Sequence, residues 1–513
     1  IGGIIRMIYN NIMYWLYLAC AEHAVDSAIT SSEVGHELSD FARMSLDLRG
    51  HRPSLEEIQM FMESPDLENF IDEFLLDEQF SEQMGWIWNA SIHTALWADQ
   101  YSRFGDWEED TWRAVGWEPM ASLQLIIDEE RSFLDWVTAD KQPLHPKTAS
   151  LWGLSYEGID WGWSDMDGER PHAGVLSSRT LWLRYNADTT NRNRMRANVV
   201  ADVFLCSSFL DRSGSFEFEA LASALNNVEK AIQTESGCIG CHSGLDSLGS
   251  FFGGFTERST DLSLRSFVSY SAFQAQWHAQ RLAPAYYGIP GSDLSDLGRY
   301  IARDPRYTMC AVQRIGESLF GTEPSRQTKR NAHKDFLESN YRIRPLVRSL
   351  VLDPSYIDAK PHLLSPVELY GTLQEVFGYA VPEDIKWSHK HHVLLGFGND
   401  NDILLNSNSF SVSHHLITEW IAKEISRELV LDLQRESSER VVLRIAEEQD
   451  EQTAREQIHY WWVSLLSQWV EVDSPEVDRI MELFQATGGF QAPESSWPLV
   501  LEAIMRHPKA MMK

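Results

Sequence analysis

The chain has 513 residues, of which 43% are hydrophobic and 23% are charged. This length and balance describe a globular protein that can form at least two hydrophobic cores, and they argue against a disordered or polytopic membrane protein. The 75 acidic residues outnumber the 44 basic ones, for a formal net charge of −31. Because nothing supplies a basic stripe, we expect no nucleic-acid partner. A basic protein partner fits this charge, and so does an acidic surface that only keeps the protein soluble.

Residues 1–20 have the order of a secretory signal. Arg6 precedes an apolar stretch, 7–19, that is too short to span a membrane comfortably, and Cys20 follows it. The end of the stretch is similar to a bacterial lipobox, in which the cysteine is lipidated, although Tyr17 stands where that pattern has a small aliphatic residue. We expect a signal peptide or a lipoprotein signal, with a buried N-terminal helix as the alternative.

Residues 34–150 are predicted to form a helical domain. Ser54 and Glu57 have the spacing of a capping box. A second helix is predicted from apolar residues at helical spacing: Leu67, Phe70, Ile71, Phe74 and Leu75. Many of the 19 tryptophans fall between residues 86 and 182, where core packing is their expected use. Glycines among the aromatic residues of 150–185 indicate irregular structure.

Cys238, Cys241 and His242 form a C-x-x-C-H sequence, which is the attachment motif of a c-type haem. The two thiols can add to the vinyl groups of one porphyrin, and His242 can ligate the iron. A redox dithiol and a structural zinc site remain as alternatives for the same cysteines. The glycines within 243–255 predict a loop on which the flat macrocycle rests.

Other residues are candidates for contacts with the same haem. Met309 is the first candidate for the sixth iron ligand, and His172 is the second; His278 and an open or water-ligated position follow. The arginines of 191–198 could hold the haem propionates, although such arginines more often pair with local carboxylates.

The remaining cysteines and histidines support weaker predictions. Cys206 and Cys310 are either a disulfide in an oxidising compartment or two buried free thiols. Five histidines lie close in sequence to a turn-rich loop that carries Asp400 and Asp402. The alternatives for them are metal binding and simple exposure of the imidazoles to solvent. These histidines are His389, His391, His392, His414 and His415. The loop lacks the spacing of an EF-hand.

Several stretches resemble the planctomycete-type cytochrome c proteins, exported bacterial proteins that are also common in myxobacteria. The resemblance covers roughly residues 40–430. The stretches are Asp47 to Ser54, His172 to Leu176 with Thr190 to Asn198, Cys238 to Gly249, Asp304 to Gly321, and Arg344 to Tyr356. Ser247 departs from the family pattern, which has proline after the Asp246 position. The resemblance implies a helical, exported protein with one haem.

Together these features predict a mainly α, multi-helical fold with an irregular Gly/Trp-rich middle region and a haem-c loop. The predicted domains are 34–150, a haem region at 151–300, and a C-terminal helical domain at 301–513. The predicted function is that of an exported c-type cytochrome, periplasmic or attached to the outer membrane as a lipoprotein, which carries one covalent haem c and passes electrons to a redox partner protein. The alternatives are a haem enzyme, either peroxidase-like or partner to an oxidase, and a module that binds envelope polysaccharide and carries a structural or sensory haem.

Overall fold

The structure is a computed structural model, and it describes most of the chain after the predicted signal. The described residues are 29–95, 108–166, 168–187, 193–211, 236–255, 269–379, 381–382, 389–395, 411–436, 439–445 and 450–513. The predicted signal with Cys20 lies outside them, as do Asp400 and Asp402. The described chain is mainly helical, which confirms the predicted multi-helical α fold.

The N-terminal part consists of helices and one short pair of strands. Its helices are α1 (Ile29–Arg49), α2 (Leu55–Glu63), α3 (Leu67–Leu76), α4 (Gln79–Ile92), α5 (Glu109–Asp128), α6 (Asp135–Thr138), α7 (Pro146–Trp152) and α8 (Arg179–Arg184). The strands β1 (Lys141–Leu144) and β2 (Gly162–Asp165) pair antiparallel, with Lys141 opposite Asp165. A 3-10 turn, Gly174–Ser177, precedes α8.

The middle part contains the predicted haem motif. Helix α9 (Arg194–Val199) continues into a π-helical turn, Val200–Phe204. The next elements are α10 (Ser236–Gly249), a 3-10 turn (Ser250–Phe252), α11 (Ala272–Arg281), and the two-residue strands β3 (Ala285–Tyr286) and β4 (Ile289–Pro290).

The C-terminal part consists of helices joined by loops in the residues that the structure describes, with one isolated β-bridge between Leu363 and Met512. Its helices are α12 (Leu294–Arg303), α13 (Pro305–Phe320), α14 (Arg326–Glu338), α15 (Ile343–Val351), α16 (Pro354–Ile357), α17 (Pro366–Phe377), α18 (His389–Leu394), α19 (Val412–Asp432), α20 (Glu451–Leu466), α21 (Pro475–Ala486) and α22 (Pro493–Met505), with 3-10 turns at Gly489–Gln491 and Pro508–Met511. No described helix combines the length and the apolar character needed to cross a membrane.

Local sequence accounts for several of these helix ends. Ser54 Oγ accepts a hydrogen bond from the Glu57 amide at 3.2 Å, and the Glu57 carboxylate accepts one from the Ser54 amide at 2.8 Å. This reciprocal pair is the predicted capping box at the start of α2. Helix α21 begins at Pro475 after the N-cap Ser474. It ends shortly before Gly488, whose φ of 117° suits glycine.

The described residues form two hydrophobic cores, which are built from successive parts of the sequence. The first core is built mainly from residues between 38 and 356, and the second from Leu46 and residues between 363 and 511. Helix α1 contributes to both, since Leu38 and Phe41 belong to the first core. A side chain at Gly371 would come within 2.4 Å of the Gly50 carbonyl oxygen, so this glycine allows α17 to approach the end of α1. The predicted domain boundaries at 150 and 300 stay predictions.

The tryptophans of residues 86–182 serve mainly as core residues. Those with at most 8% of their surface exposed are Trp86, Trp88, Trp112, Trp117, Trp136 and Trp182. Trp152, Trp161 and Trp163 are half-buried, and Trp97 and Trp107 lie outside the described residues. This burial agrees with the expected packing role, because a polysaccharide-binding surface would expose a row of aromatic rings.

A buried ionic cluster joins α1, α17 and residue 513. Lys513 Nζ lies 2.5 Å from Asp47 Oδ1 and also contacts the Glu368 carboxylate. Tyr356 donates its hydroxyl proton to Asp47 Oδ2 at 2.6 Å, and Arg43 Nε lies 3.6 Å from the same oxygen. At most 4% of the Lys513, Asp47 and Glu368 side chains is exposed. The cluster therefore ties residue 513 to the N-terminal helix.

Candidate haem-attachment site

The C-x-x-C-H motif lies in the first half of α10 (Ser236–Gly249). Residues three and four positions apart share one face of an α-helix, so Cys238, Cys241 and His242 lie on the same face. Both cysteines are free and partly buried. A side chain at Gly240 would meet nothing within 4 Å, so the helix surface at that position, on the side away from the thiols, is open. Two accessible thiols on one helix face fit the thioether bonds of a c-type haem.

The loop predicted for 243–255 is wrong, because α10 continues to Gly249 and a 3-10 turn follows. Leu245 and Leu248 give this segment an apolar helix face that packs on the first core. Ser247 Oγ donates to the Ser243 carbonyl at 2.8 Å. Proline at 247, as in the family pattern, would remove the helical hydrogen bond to that carbonyl, so serine permits the helix to continue.

The imidazole of His242 is held by a carboxylate one turn further along α10. His242 Nδ1 lies 3.5 Å from Asp246 Oδ1, the long limit of a hydrogen bond. Arg194 donates two hydrogen bonds to Asp246, from Nε to Oδ1 at 2.5 Å and from Nη2 to Oδ2 at 3.0 Å. Because a carboxylate accepts the Nδ1 proton, Nε2 is the nitrogen left for a metal.

The sequence alone did not predict this chain of hydrogen bonds from Arg194 through Asp246 to His242. The arginines of 191–198 are candidates for holding haem propionates or, more commonly, for pairing with local carboxylates, and Arg194 has the second of these roles. Arg196 is buried and donates to the Tyr185 carbonyl at 3.0 Å, while Arg192 lies outside the described residues. The four-residue spacing between His242 and Asp246 was the available signal.

Aromatic rings border the thiol side of the helix. Cys241 Sγ lies 3.9 Å from the Phe209 carbonyl oxygen, and the Phe209 ring stacks on Tyr287 with a centroid distance of 6.2 Å. A side chain at Gly244 would make an ordinary 3.6 Å contact with the Phe209 ring. Nearby in sequence, Leu210 and Ile239 expose 84% and 38% of their surfaces. The motif thus lies beside partly exposed apolar groups, which suit a porphyrin.

Cys206 and Cys310 form a disulfide, which settles the choice between a disulfide and two free thiols. Their Cα atoms are 5.4 Å apart, and they are separated by 104 positions in sequence. The covalent loop that they close contains the C-x-x-C-H motif. Cys206 also lies three residues before Phe209, so the disulfide covalently links α13 to the Phe209 segment, which contacts Cys241.

The structure locates the candidate sixth ligands on separate elements. Met309 is half-buried on α13, next to Cys310 of the disulfide. His172 is exposed beside a surface depression that Arg170 and Arg299 also line. His278 packs against Gly253, where an added Cβ would lie 2.6 Å from the histidine Cβ. Met309 as sixth ligand stays a prediction.

The histidines of the second group make separate contacts with the protein. His414 Nε2 lies 3.0 Å from the Leu395 carbonyl oxygen, His415 contacts Arg506, and His391 stacks on Trp420. Within the described ranges, no group of three or more His, Cys, Asp and Glu side chains is arranged to hold a metal ion. The His389 side chain is outside this description.

The chain matches no protein-family model, and neither a curated protein nor a solved structure matches it. The resemblance to the planctomycete-type cytochrome c proteins therefore stays a prediction.

Proposed function

We propose that the protein is an exported c-type cytochrome that binds one covalent haem and transfers electrons in the bacterial cell envelope. One observation carries this proposal: two free, partly exposed thiols and a histidine share one face of α10, and the Asp246–Arg194 pair orients that histidine. A redox dithiol would need the cysteines but not the oriented imidazole.

Each residue of the motif has a distinct role in this proposal. Cys238 and Cys241 anchor the porphyrin through thioether bonds, and His242 provides the axial nitrogen Nε2. Asp246 fixes the ring orientation of His242 and increases its basicity, and Arg194 holds Asp246. The bound haem supplies a one-electron redox centre whose potential depends on its ligands and the charges around it.

The disulfide supports the proposed location. Structural disulfides persist in oxidising compartments, and bacterial c-type haem is attached outside the cytoplasmic membrane. The proposed redox partner is a basic protein surface, which the net charge of −31 would attract. Membrane attachment through a lipidated Cys20 belongs to the same proposal.

Expression of the full chain together with c-type haem maturation proteins tests the attachment. We expect one haem per chain that survives denaturation, measured as pyridine haemochrome, and none in the Cys238→Ala/Cys241→Ala variant, because no thiol remains to form a thioether. The Cys206→Ala/Cys310→Ala variant is the matched control and should keep its haem. A wild-type protein without covalent haem would overturn the proposal.

The spectra of the same samples distinguish the candidate functions. A red charge-transfer band of sulfur-ligated ferric haem that Met309→Leu abolishes would support Met309 as the sixth ligand. A high-spin spectrum that changes on adding cyanide would favour the peroxidase-like alternative.

We expect Asp246→Asn to raise the haem midpoint potential by about 60 mV, which corresponds to a tenfold change in the one-electron equilibrium. The neutral amide makes His242 less basic and removes a negative charge that stabilises the ferric state. Arg194→Gln should shift the potential in the opposite direction, because it leaves the Asp246 charge uncompensated. Potentiometric titration measures both shifts.

The Asp72–Arg348 pair provides the control for this experiment. It has a similar geometry, with Arg348 Nε 2.6 Å from Asp72 Oδ1, but it joins α3 to α15. Asp72→Asn should leave the potential unchanged. Equal shifts in Asp72→Asn and Asp246→Asn would mean that only overall charge matters and that Asp246 has no specific contact with the haem ligand.

A further inference from the structure

A cavity of about 330 Å³ lies where the end of α1 and the helix α4 face α17. Its volume is at the lower end of the range for small-molecule pockets. His51, Tyr370, Glu82 and Glu375 are among the residues that line it, together with glutamine side chains and Trp86. None of the haem-motif residues takes part.

The imidazole of His51 presents an acceptor nitrogen to this cavity. Only 6% of the residue surface is exposed, and Nδ1 lies 2.7 Å from the Arg52 carbonyl oxygen. Because a carbonyl can only accept, Nδ1 carries the proton and Nε2 carries a lone pair. Burial, and next the Arg49 charge, lower the pKa of His51, which keeps the ring neutral. Nε2 has no hydrogen-bond partner among the described residues.

Tyr370 provides a second polar group without a partner in the described part of the chain. It is 3% exposed, and burial raises the pKa of its hydroxyl, which therefore stays a neutral donor. In other buried tyrosines the hydroxyl donates a hydrogen bond to the protein: Tyr356 donates to Asp47 at 2.6 Å, and Tyr460 donates to the Val376 carbonyl at 2.8 Å. The Tyr370 hydroxyl instead reaches the water-accessible cavity, where a ligand hydroxyl can replace water as its partner.

The charges of the wall restrict the class of ligand. The carboxylates of Glu82 and Glu375 disfavour an anion. The Arg49 guanidinium is already engaged, 2.6 Å from Glu57 and 3.6 Å from Asp77. A hydrocarbon would leave the polar groups unpaired, and an ammonium group cannot accept a proton from a tyrosine hydroxyl.

We propose that this cavity binds a neutral polyhydroxylated molecule of mono- or disaccharide size. Its hydroxyl groups both donate and accept, so one hydroxyl donates to His51 Nε2 and another accepts from Tyr370. The Glu82 and Glu375 carboxylates accept hydrogen bonds from further hydroxyl groups. This site is independent of the proposed haem.

Two conservative variants remove the ligand contacts without removing protein contacts. Tyr370→Phe deletes a hydroxyl that bonds to no described residue, so the free energy of unfolding should not fall. His51→Asn puts an amide N–H where Nδ1–H was, which preserves the bond to the Arg52 carbonyl and deletes Nε2. Tyr460→Phe is the matched control, since its hydroxyl bonds to the protein and lies outside the cavity.

Calorimetric titration of the full chain with glucose, N-acetylglucosamine and maltose tests the proposal, and spermidine serves as the cationic probe. We expect at least one sugar to bind, with affinity about 3- to 10-fold weaker in Tyr370→Phe and in His51→Asn. Tyr460→Phe should bind like the wild type. Binding of spermidine alone, binding of no sugar, or equal sugar affinity in all variants would each overturn the assignment, whether or not the chain carries haem.

Discussion

Replacing Lys513 with methionine is expected to lower the free energy of unfolding by about 3–5 kcal/mol, because the change removes the cation that the buried carboxylates of Asp47 and Glu368 share. Burial alone would lower the pKa of Lys513, but the nearby carboxylates of Asp47 and Glu368 outweigh burial and raise it. Burial alone would raise the pKa of Asp47, yet Lys513 and Arg43 lower it. Urea unfolding, followed by circular dichroism, measures the loss.

The direction of both pKa shifts predicts how this loss depends on pH. The lowered pKa of Asp47 contributes stability that is present above its unfolded value and is lost as pH falls through the folded value. The raised pKa of Lys513 contributes stability that is present below its unfolded value and is lost as pH rises through the folded value. The stability that these two shifts contribute to the wild type should therefore be constant from about pH 5 to pH 9, whereas the loss in Lys513→Met should shrink at the acidic end as the carboxylates of the variant take up protons.

Two further variants separate the buried charge from the lost side chain. Lys334 pairs with Glu338 at 3.7 Å on the surface, so Lys334→Met should change stability by only about 0.5 kcal/mol or less. Adding Asp47→Asn and Glu368→Gln to Lys513→Met should recover part of the loss, because no buried carboxylate then remains without its lysine partner. A Lys513→Met variant as stable as Lys334→Met would rule out the buried cluster.

Removing the Cys206–Cys310 disulfide is the second change with a large expected effect. A disulfide restricts the unfolded chain, and closing a loop of 104 positions corresponds to a stabilisation of about 4–5 kcal/mol in the loop-entropy model, within a usual loss of about 2–5 kcal/mol. We expect the Cys206→Ala/Cys310→Ala variant to unfold at correspondingly lower urea concentration. The small cavity at Cys310, which is 2% exposed, adds to the loss.

Reduction of the wild-type protein controls for the effect of the substitutions. Wild type with a strong reductant should approach the stability of the double variant, and the reductant should not affect the variant itself. Cys238→Ala/Cys241→Ala in the haem-free chain should change stability little, because both residues are partly exposed. A reductant that leaves the wild type unchanged would contradict the disulfide.

Local patterns were sufficient to predict much of the helical structure. Ser54 and Glu57 specify the start of α2 through bonds within four residues, and the apolar residues of α3 repeat at the period of its buried face. The glycines of 243–255 misled the prediction, because Leu245 and Leu248 place an apolar face on the core that outweighs glycine's cost in a helix.

The contacts that build the sites could not be predicted, because they join residues remote in sequence. Lys513 and Asp47 are 466 positions apart, and Arg194 and Asp246 are 52 apart. The cavity depends on the approach of α17 to Gly50, which no local pattern specifies. The C-x-x-C-H motif could be recognised because it lies within five consecutive residues, whereas the orientation of His242 depends on a distant arginine.

If the proposed haem is attached, disulfide formation and haem attachment compete for the four described cysteines. Four thiols can pair into two disulfides in three ways. Only the arrangement that joins Cys206 to Cys310 while 238 and 241 stay reduced leaves both attachment thiols available. Disulfide formation and haem attachment would therefore use the same thiols. A cell with too strong an oxidant or too little reductant would accumulate chains with incorrect disulfides and no haem.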